Sequence, residues 1–430
     1  MAEWLCSGLQ SRLCRFDSDP SLHNSCLTRR TRIGAGVLLG LVALALLVVV
    51  INRPWFDEAL APELVALRDS KVAFSGDNAY PEIAGFPRKD HRLVELMSLE
   101  CVARRYLDCA ARLIAESGAT NWQTPDLTKL LERYDALTRH AHYVETREAG
   151  AGAPAWLNTP ILNLGQLRLA LSYQHDATPN YLNKVAADLV FWRTVLREAE
   201  SLSAKMVALG AIQNDLDFIS TRMRERPLQP AELQFVQGFL HPFTREEADI
   251  GAGFLSDARI ELLMDEPYVA MDASWLTRLV LQKNATLNLG YHEFTAPMVA
   301  RASLDARQWY EQKGYEPIRY ELRASPRTLF NLGGKLEWSR TAWDPWQFPA
   351  RVHDLDGRIS LVLLQAEIAQ RSGEAPDAVI RESTHRNPYT GEAFEYDAQA
   401  GILSFKCLET AYHPPDPPPR CAVAIHRSAN

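Results

Sequence analysis

The chain is poor in the signatures that announce chemistry. It has no GxxxxGK[ST] phosphate loop and no GxSxG nucleophile turn. His292-Glu293 does not extend to HExxH, because position 296 is alanine. There is no basic excess: 46 Lys and Arg stand against 53 Asp and Glu, a net charge of −7, so a nucleic-acid backbone is excluded as the main partner. Seven cysteines in 430 residues are too few for a disulfide miniprotein. A mean hydropathy of −0.20 excludes a polytopic membrane protein, and 47% hydrophobic content excludes a largely disordered chain.

Charge is missing altogether from one stretch. Residues 33–51 read IGAGVLLGLVALALLVVVI, without a single polar side chain. As a helix they extend roughly 28 Å, the thickness of a bilayer core. Arg32 and Arg53 bracket the run, and Trp55 stands where an interfacial aromatic belongs. A cleaved signal peptide fits worse: the segment before the run is far longer than a usual n-region, and Pro62 follows the only suitable Ala59-Leu60-Ala61 triplet. The expectation is an uncleaved signal anchor with the lipid bilayer as its partner through residues 33–51.

Five arginines precede residue 34, whereas Arg53, Arg68 and Lys71 follow the run, which favours an N-terminus in the cytoplasm. Cysteine agrees with this. Cys6, Cys14 and Cys26 fall on the reducing side, and an even set of four on the oxidising side. Arginine outnumbers lysine 37 to 9, a bias typical of high-GC bacteria. The expected location is therefore a bacterial inner membrane, single-pass, with the C-terminal body in the periplasm. The segment 1–33 carries five Arg and three acids, +2, so the remainder carries −9. That charge argues against flat adhesion of the body to anionic lipid.

The expected organisation has five parts: a basic cytoplasmic segment over 1–32, the anchor over 33–52, a proline-marked tether over 53–89, a helical domain over 90–315 and an α+β tail over 316–430. The fold class is mainly α, a helical-hairpin bundle or array with a C-terminal β-hairpin. Apolar spacing predicts helices over 125–145, 155–175, 179–226 (broken) and 230–265. Thr124-Pro125-Asp126 is a helix start, and Thr244 with Glu247 a capping box. Leu189, Phe191, Trp192, Val195 and Leu196 form a core face. Residues 315–323 alternate as a strand, Asn331-Leu332-Gly333-Gly334-Lys335 reads as a turn, and Asp356-Gly357 as the start of a strong helix. Strands over 393–397 and 402–408 are joined by Ala398-Gln399-Ala400-Gly401, with a third strand over 421–426.

A Cys407–Cys421 disulfide would close a loop holding five prolines (414, 415 and 417–419) and stabilise by roughly 3 kcal/mol. Cys101 and Cys109 lie ~12 Å apart along one straight helix, too far to pair; either the helix turns between them or both are buried thiols. No metal or cofactor site is expected. His140 and His142 on a helix would point ~200° apart, a poor arrangement for one ion. Asp354-Leu355-Asp356-Gly357 lacks most ligands of a calcium loop and reads better as a helix cap. Glu246, Glu247 and Asp249 read as a solvated face.

The tail sequence NPYTGEAFEYD, followed by GILSF, resembles the C-terminal module of an uncharacterised group of membrane-anchored bacterial periplasmic helical proteins. There a helix precedes a D/N-P-aromatic-x-G turn and a hairpin. The tail is also similar to the globular end of type II secretion pseudopilins. The likeness covers about a sixth of the chain. The pseudopilin hallmark, a glycine cleavage site before an apolar helix with glutamate at its fifth position, is missing. The first resemblance implies no activity. The functional expectation is a protein-binding or scaffold role with an envelope protein partner, more binding module than enzyme. The alternatives are an anchored envelope hydrolase, which would gather His140, His142, His175, His241 or His292 with acids in a cleft, and a secretion or pilus-like assembly component.

Overall fold

A computed structural model describes residues 20–70, 74–86, 110–111, 113–115, 124–146, 159–264, 267–271, 273–323, 325–340, 347–408 and 421–426. Cys101, Cys109 and the proline-rich loop 414–419 lie outside the described residues. The fold is mainly helical with a small three-stranded antiparallel sheet near the C-terminus.

The first helix, α1 (Pro20–Ile51), carries the apolar run: Gly34–Ile51 has a mean hydropathy of 2.9, and none of its residues is buried by the described residues. It is followed by α2 (Pro62–Asp69). The segment read as a tether is packed instead over much of its length. Leu64 is buried against Leu262 and Leu287, while Tyr80, Ile83 and Phe86 enter the main core.

The body begins with α3 (Pro125–Leu137), opened by the Thr124 side chain accepting from Leu127 N–H and by proline in the first turn. It stops well before 145 because residues 77–79 claim the backbone that follows. Asp77 accepts from Ala141 N–H, Asn78 from Val144 N–H, and Ala79 N–H donates to the His142 carbonyl. Then come α4 (Thr159–His175), α5 (Thr178–Glu198) and α6 (Leu202–Glu225), the last two separated by a break at 199–201 as expected. Ser201 caps α6. The apolar face of α5, from Leu189 to Leu196, is buried. The helix expected over 230–265 is three pieces: α7 (Pro230–Phe239), a turn at Arg245–Ala248, and α8 (Gly251–Leu263). Pro242 interrupts it, and the Thr244 capping box restarts it.

After α8, α9 (Lys283–Gly290) runs through a π-turn (Tyr291–Thr295) into α10 (Ala296–Ala302). Pro297 is the sequence cause. It has no N–H for the carbonyl four residues back and its ring crowds that turn, so the helix widens. Residues 315–323 form no strand, because among the described residues no other strand lies beside them. The glycine turn at 331–335 is helical. Asn331 takes the left-handed conformation (φ 49°), and α11 (Leu332–Arg340) starts immediately. Its two glycines are required by close approach: a Cβ on Gly333 would stand 2.4 Å from the Thr277 carbonyl oxygen.

The central helix α12 (Gln347–Gln370) begins ten residues before Gly357 and is buried almost all round. Gly357 is mid-helix, where a Cβ would stand 2.4 Å from Phe405 Cζ. Asp354 and Asp356 therefore neither cap a helix nor open a calcium loop. Asp354 accepts from the Tyr389 hydroxyl (2.7 Å) and Leu408 N–H (3.1 Å), and Asp356 from Phe243 N–H (2.6 Å).

After α13 (Pro376–Glu382), the NPYTG turn is closed by Gly391 N–H on the Asn387 carbonyl and by Asn387 Oδ1 accepting from Tyr389 N–H. Strands β1 (Glu395–Asp397), β2 (Ile402–Ser404) and β3 (Ala422–Ala424) follow, with Asp397 opposite Ile402 and Leu403 opposite Val423. Cys407 and Cys421 form a buried disulfide, Cα atoms 5.7 Å apart. One hydrophobic core runs from Tyr80 through α5, α6 and α12 to Ile425, so the helical region and the tail share it.

Candidate functional site at the root of the apolar helix

The most elaborate polar constellation lies where α1 meets the body. Asn52 is almost completely buried, and its Nδ2 donates to the Val48 carbonyl and, across the chain, to the Leu329 carbonyl, both at 2.7 Å. Gln282 Nε2 donates to the Ile51 carbonyl at 3.0 Å, satisfying an acceptor at the helix C-terminus. Asp57 caps α9 from a distant part of the chain, accepting from Asn284 N–H and Ala285 N–H at 2.8 and 3.0 Å. Asn288 Nδ2 reaches Glu58 Oε1 and the Ala59 carbonyl, while its Oδ1 accepts from Ala61 N–H. The stretch from Asp57 to Ala61 is thus bonded along α9.

Asn331 closes the arrangement. Its Oδ1 accepts from Gln282 N–H and the Thr286 hydroxyl, both at 3.0 Å. Among the described residues, the buried Asn331 Nδ2, Gln282 Oε1 and Asn52 Oδ1 have no hydrogen-bond partner. Each such group costs about 1–3 kcal/mol, and native proteins keep few of them.

A cavity of about 250 Å³ opens here, lined by Glu58, Asn288, His292, Glu293, Asn331 and Lys335 among others. The π-turn supplies His292 and Glu293, and such turns recur at functional sites. Lys335 Nζ donates to the Arg327 and Phe330 carbonyls; burial lowers its pKa, opposed by the Glu58 charge. Two carboxylates, an imidazole, an ammonium and the Asn331 amide offer both donors and acceptors to a small polar or zwitterionic molecule. The volume is just below the range of drug-sized pockets. No family model, curated protein or solved structure matches this chain.

Of the five candidate histidines at 140, 142, 175, 241 and 292, His292 alone lines this cavity. His140 pairs with Asp77 and Glu82; burial lowers its pKa, but the two carboxylates prevail and raise it. His142 approaches Glu198 at 3.4 Å. These two are not on a helix, since α3 has ended, and each has its own acid. His175 ends α4, and His241 Nδ1 contacts Arg193 Nη2 at 2.8 Å. Asp354 lies within ligand reach of Cys407 and Cys421, but those sulfurs are spent in the disulfide.

Glu247 corrects the solvated-face reading. It is buried and holds Arg193 through two contacts, of 2.8 and 2.6 Å. Sequence reasoning also missed the acids inside the bundle. Asp188 and Asp215 are buried, and burial pushes both carboxyls up, Asp215 strongly. The Tyr134 hydroxyl donates to Asp188, and Trp192 Nε1–H to Tyr134 Oη. The available signal was aspartate inside the apolar helical runs AADLVFW and NDLDFI.

Proposed function

We propose that the chain is a single-span membrane protein whose body is carried outside the cytoplasm and binds a partner there. The observation that supports this best is the contrast at residue 52. Gly34–Ile51 is apolar and uncovered, yet its last turn is bonded into the body through Asn52 and Gln282. A buried disulfide suits an oxidising compartment, the periplasm if the source is bacterial. The arginine balance supports an N-terminus in the cytoplasm. The role is that of a binding module or scaffold for an envelope protein. Alkaline carbonate extraction tests the anchor, and alkaline phosphatase fused after residue 430 tests the orientation. Release of the chain into the supernatant, or an inactive fusion, overturns the respective part. Crosslinking in intact membranes followed by pull-down tests the partner; repeated absence of one counts against the role.

A second reading is an anchored hydrolase. It is favoured by the cavity that gathers Glu58, His292, Glu293 and Lys335. Purified full-length protein that converts envelope material, with the conversion lost in Glu293→Gln, would support it over the binding role.

A further inference from the structure

Around the root of α1 the body exposes large apolar side chains that its packing does not use. Trp55 and Phe56 are 75% and 50% exposed. In the stretch leading to Gln282, Met271, Trp275, Leu276 and Leu279 are 48%, 70%, 58% and 39% exposed. The second group is held rigidly. Ser274 caps the turn Trp275–Arg278, and the Arg278 guanidinium donates to the carbonyls of Ala270, Met271 and Ala273. Thr277 is the residue of that turn that faces inward, beside Gly333. The chain then leads in three residues from Leu279 to Gln282, which donates to the Ile51 carbonyl. Three residues span at most about 11 Å, and the turn adds roughly 6 Å. With the reach of the Gln282 side chain added, both groups lie within about 25 Å of the end of the apolar helix.

We infer that this surface, centred on Trp275 and Leu276, is a second membrane contact, seated in the headgroup–acyl boundary of the leaflet from which α1 emerges. The inference rests on the anchor reading above. Continuity with the apolar helix chooses the occupant: Asn52 and Gln282 fix the patch to the helix end, so both meet the same interface. Two tryptophans beside aliphatic side chains are the composition that interface favours. The contact is apolar rather than electrostatic, which suits a body carrying −9 and distinguishes it from adhesion through a basic patch.

The test uses the full chain in nanodiscs of phosphatidylcholine with a clickable acyl chain. A photoreactive benzoyl-phenylalanine replaces, one at a time, Leu276, Leu39 in the apolar helix, or Val190, which is exposed on α5. The expected result is lipid adduct at 39 and 276 and none at 190. Lipid adduct at 39 without adduct at 276 overturns the contact and leaves the anchor standing. A protein–protein adduct from 276 also overturns it, in favour of a second copy. No adduct at 39 refutes the anchor, and the contact with it.

Discussion

Replacing Arg193 by methionine removes one cation from a place that water does not reach. Arg193 and Glu247 side chains are each 5% exposed. The guanidinium holds both carboxylate oxygens and also donates to the His241 and Pro242 carbonyls at 2.7 and 3.0 Å. At about 4 Å between charge centres, an effective dielectric near 20 gives roughly 4 kcal/mol of attraction. Truncating one partner of such a pair costs about 3–5 kcal/mol, because the other charge stays buried. In Arg193→Met, Glu247 keeps Thr244 N–H as a donor and the Pro242 carbonyl keeps the His241 Nδ1 contact at 2.9 Å, while the His241 carbonyl loses the Arg193 donor. The expected loss is therefore about 3–5 kcal/mol at neutral pH. Urea unfolding of the full chain in detergent, followed by tryptophan fluorescence, measures it. The double variant with Glu247→Leu should be less destabilised than the two single changes summed, by on the order of 2 kcal/mol. A loss under about 1 kcal/mol, or strict additivity, would refute the claim that this pair pins the α7–α8 connection to α5.

Gly357→Ala should destabilise by about 1–3 kcal/mol, since its Cβ would meet Phe405 and Pro388 at 2.4 and 2.8 Å. Gly238→Ala, on α7 with open space around it, should instead stabilise by about 0.5–1 kcal/mol; thermal melts of the pair decide. Reduction of Cys407–Cys421, or both changed to serine, should cost roughly 3 kcal/mol, seen as a lower melting temperature with reductant that the serine variant no longer shows. Burial pushes the Asp257 and Asp356 carboxyls up to about 6 and the His353 imidazole down to about 4. The stability from the two aspartates is full below about pH 4 and is lost as pH rises through 6. That from neutral His353 is full above about 6.5 and is lost as pH falls through 4. Asp356→Asn should match the native chain near pH 4 and exceed it at pH 7 by about 2 kcal/mol, measured by urea titration at both pH values; a constant difference would refute the assignment.

What the sequence disclosed depended on how local each cause was. Thr124, Thr244 with Glu247, the NPYTG turn and the Asp397–Gly401 hairpin are set by side chains bonding backbone two to four residues away, and all four were legible. The cysteine bracket was legible because its two ends flank one loop. Failures came where a distant residue decides. Gly333 reads as a turn glycine and Gly357 as a helix start, yet both lie within helices, where Thr277 and Phe405 leave no room for a Cβ. The end of α3 is set by Asp77 and Asn78, about sixty positions earlier. The cavity draws Glu58, His292 and Lys335 from three separate parts of the chain, and no spacing rule connects them. Pro297 was the one local hint of the π-turn that brings His292 and Glu293 there.

The segment after α1 decides how the body is carried. A flexible linker of twenty residues has an end-to-end distance of roughly 25 Å and would let the body tumble above a membrane. Here Asn52, Asp57 and Glu58 are bonded to Leu329, α9 and Asn288 within seven residues of the apolar helix. A body fixed in this way cannot rotate freely about its anchor. On the anchor reading proposed above, the cavity lined by Glu58 and His292 would be held close to the end of the span. Asn52→Leu tests the coupling directly. It keeps a side chain of similar size but removes both carbonyl contacts, so amide exchange should quicken in 52–61 and 283–288 while the α5–α6 core stays protected. Unchanged exchange at the root would mean that Asp57 and Asn288 suffice to hold it.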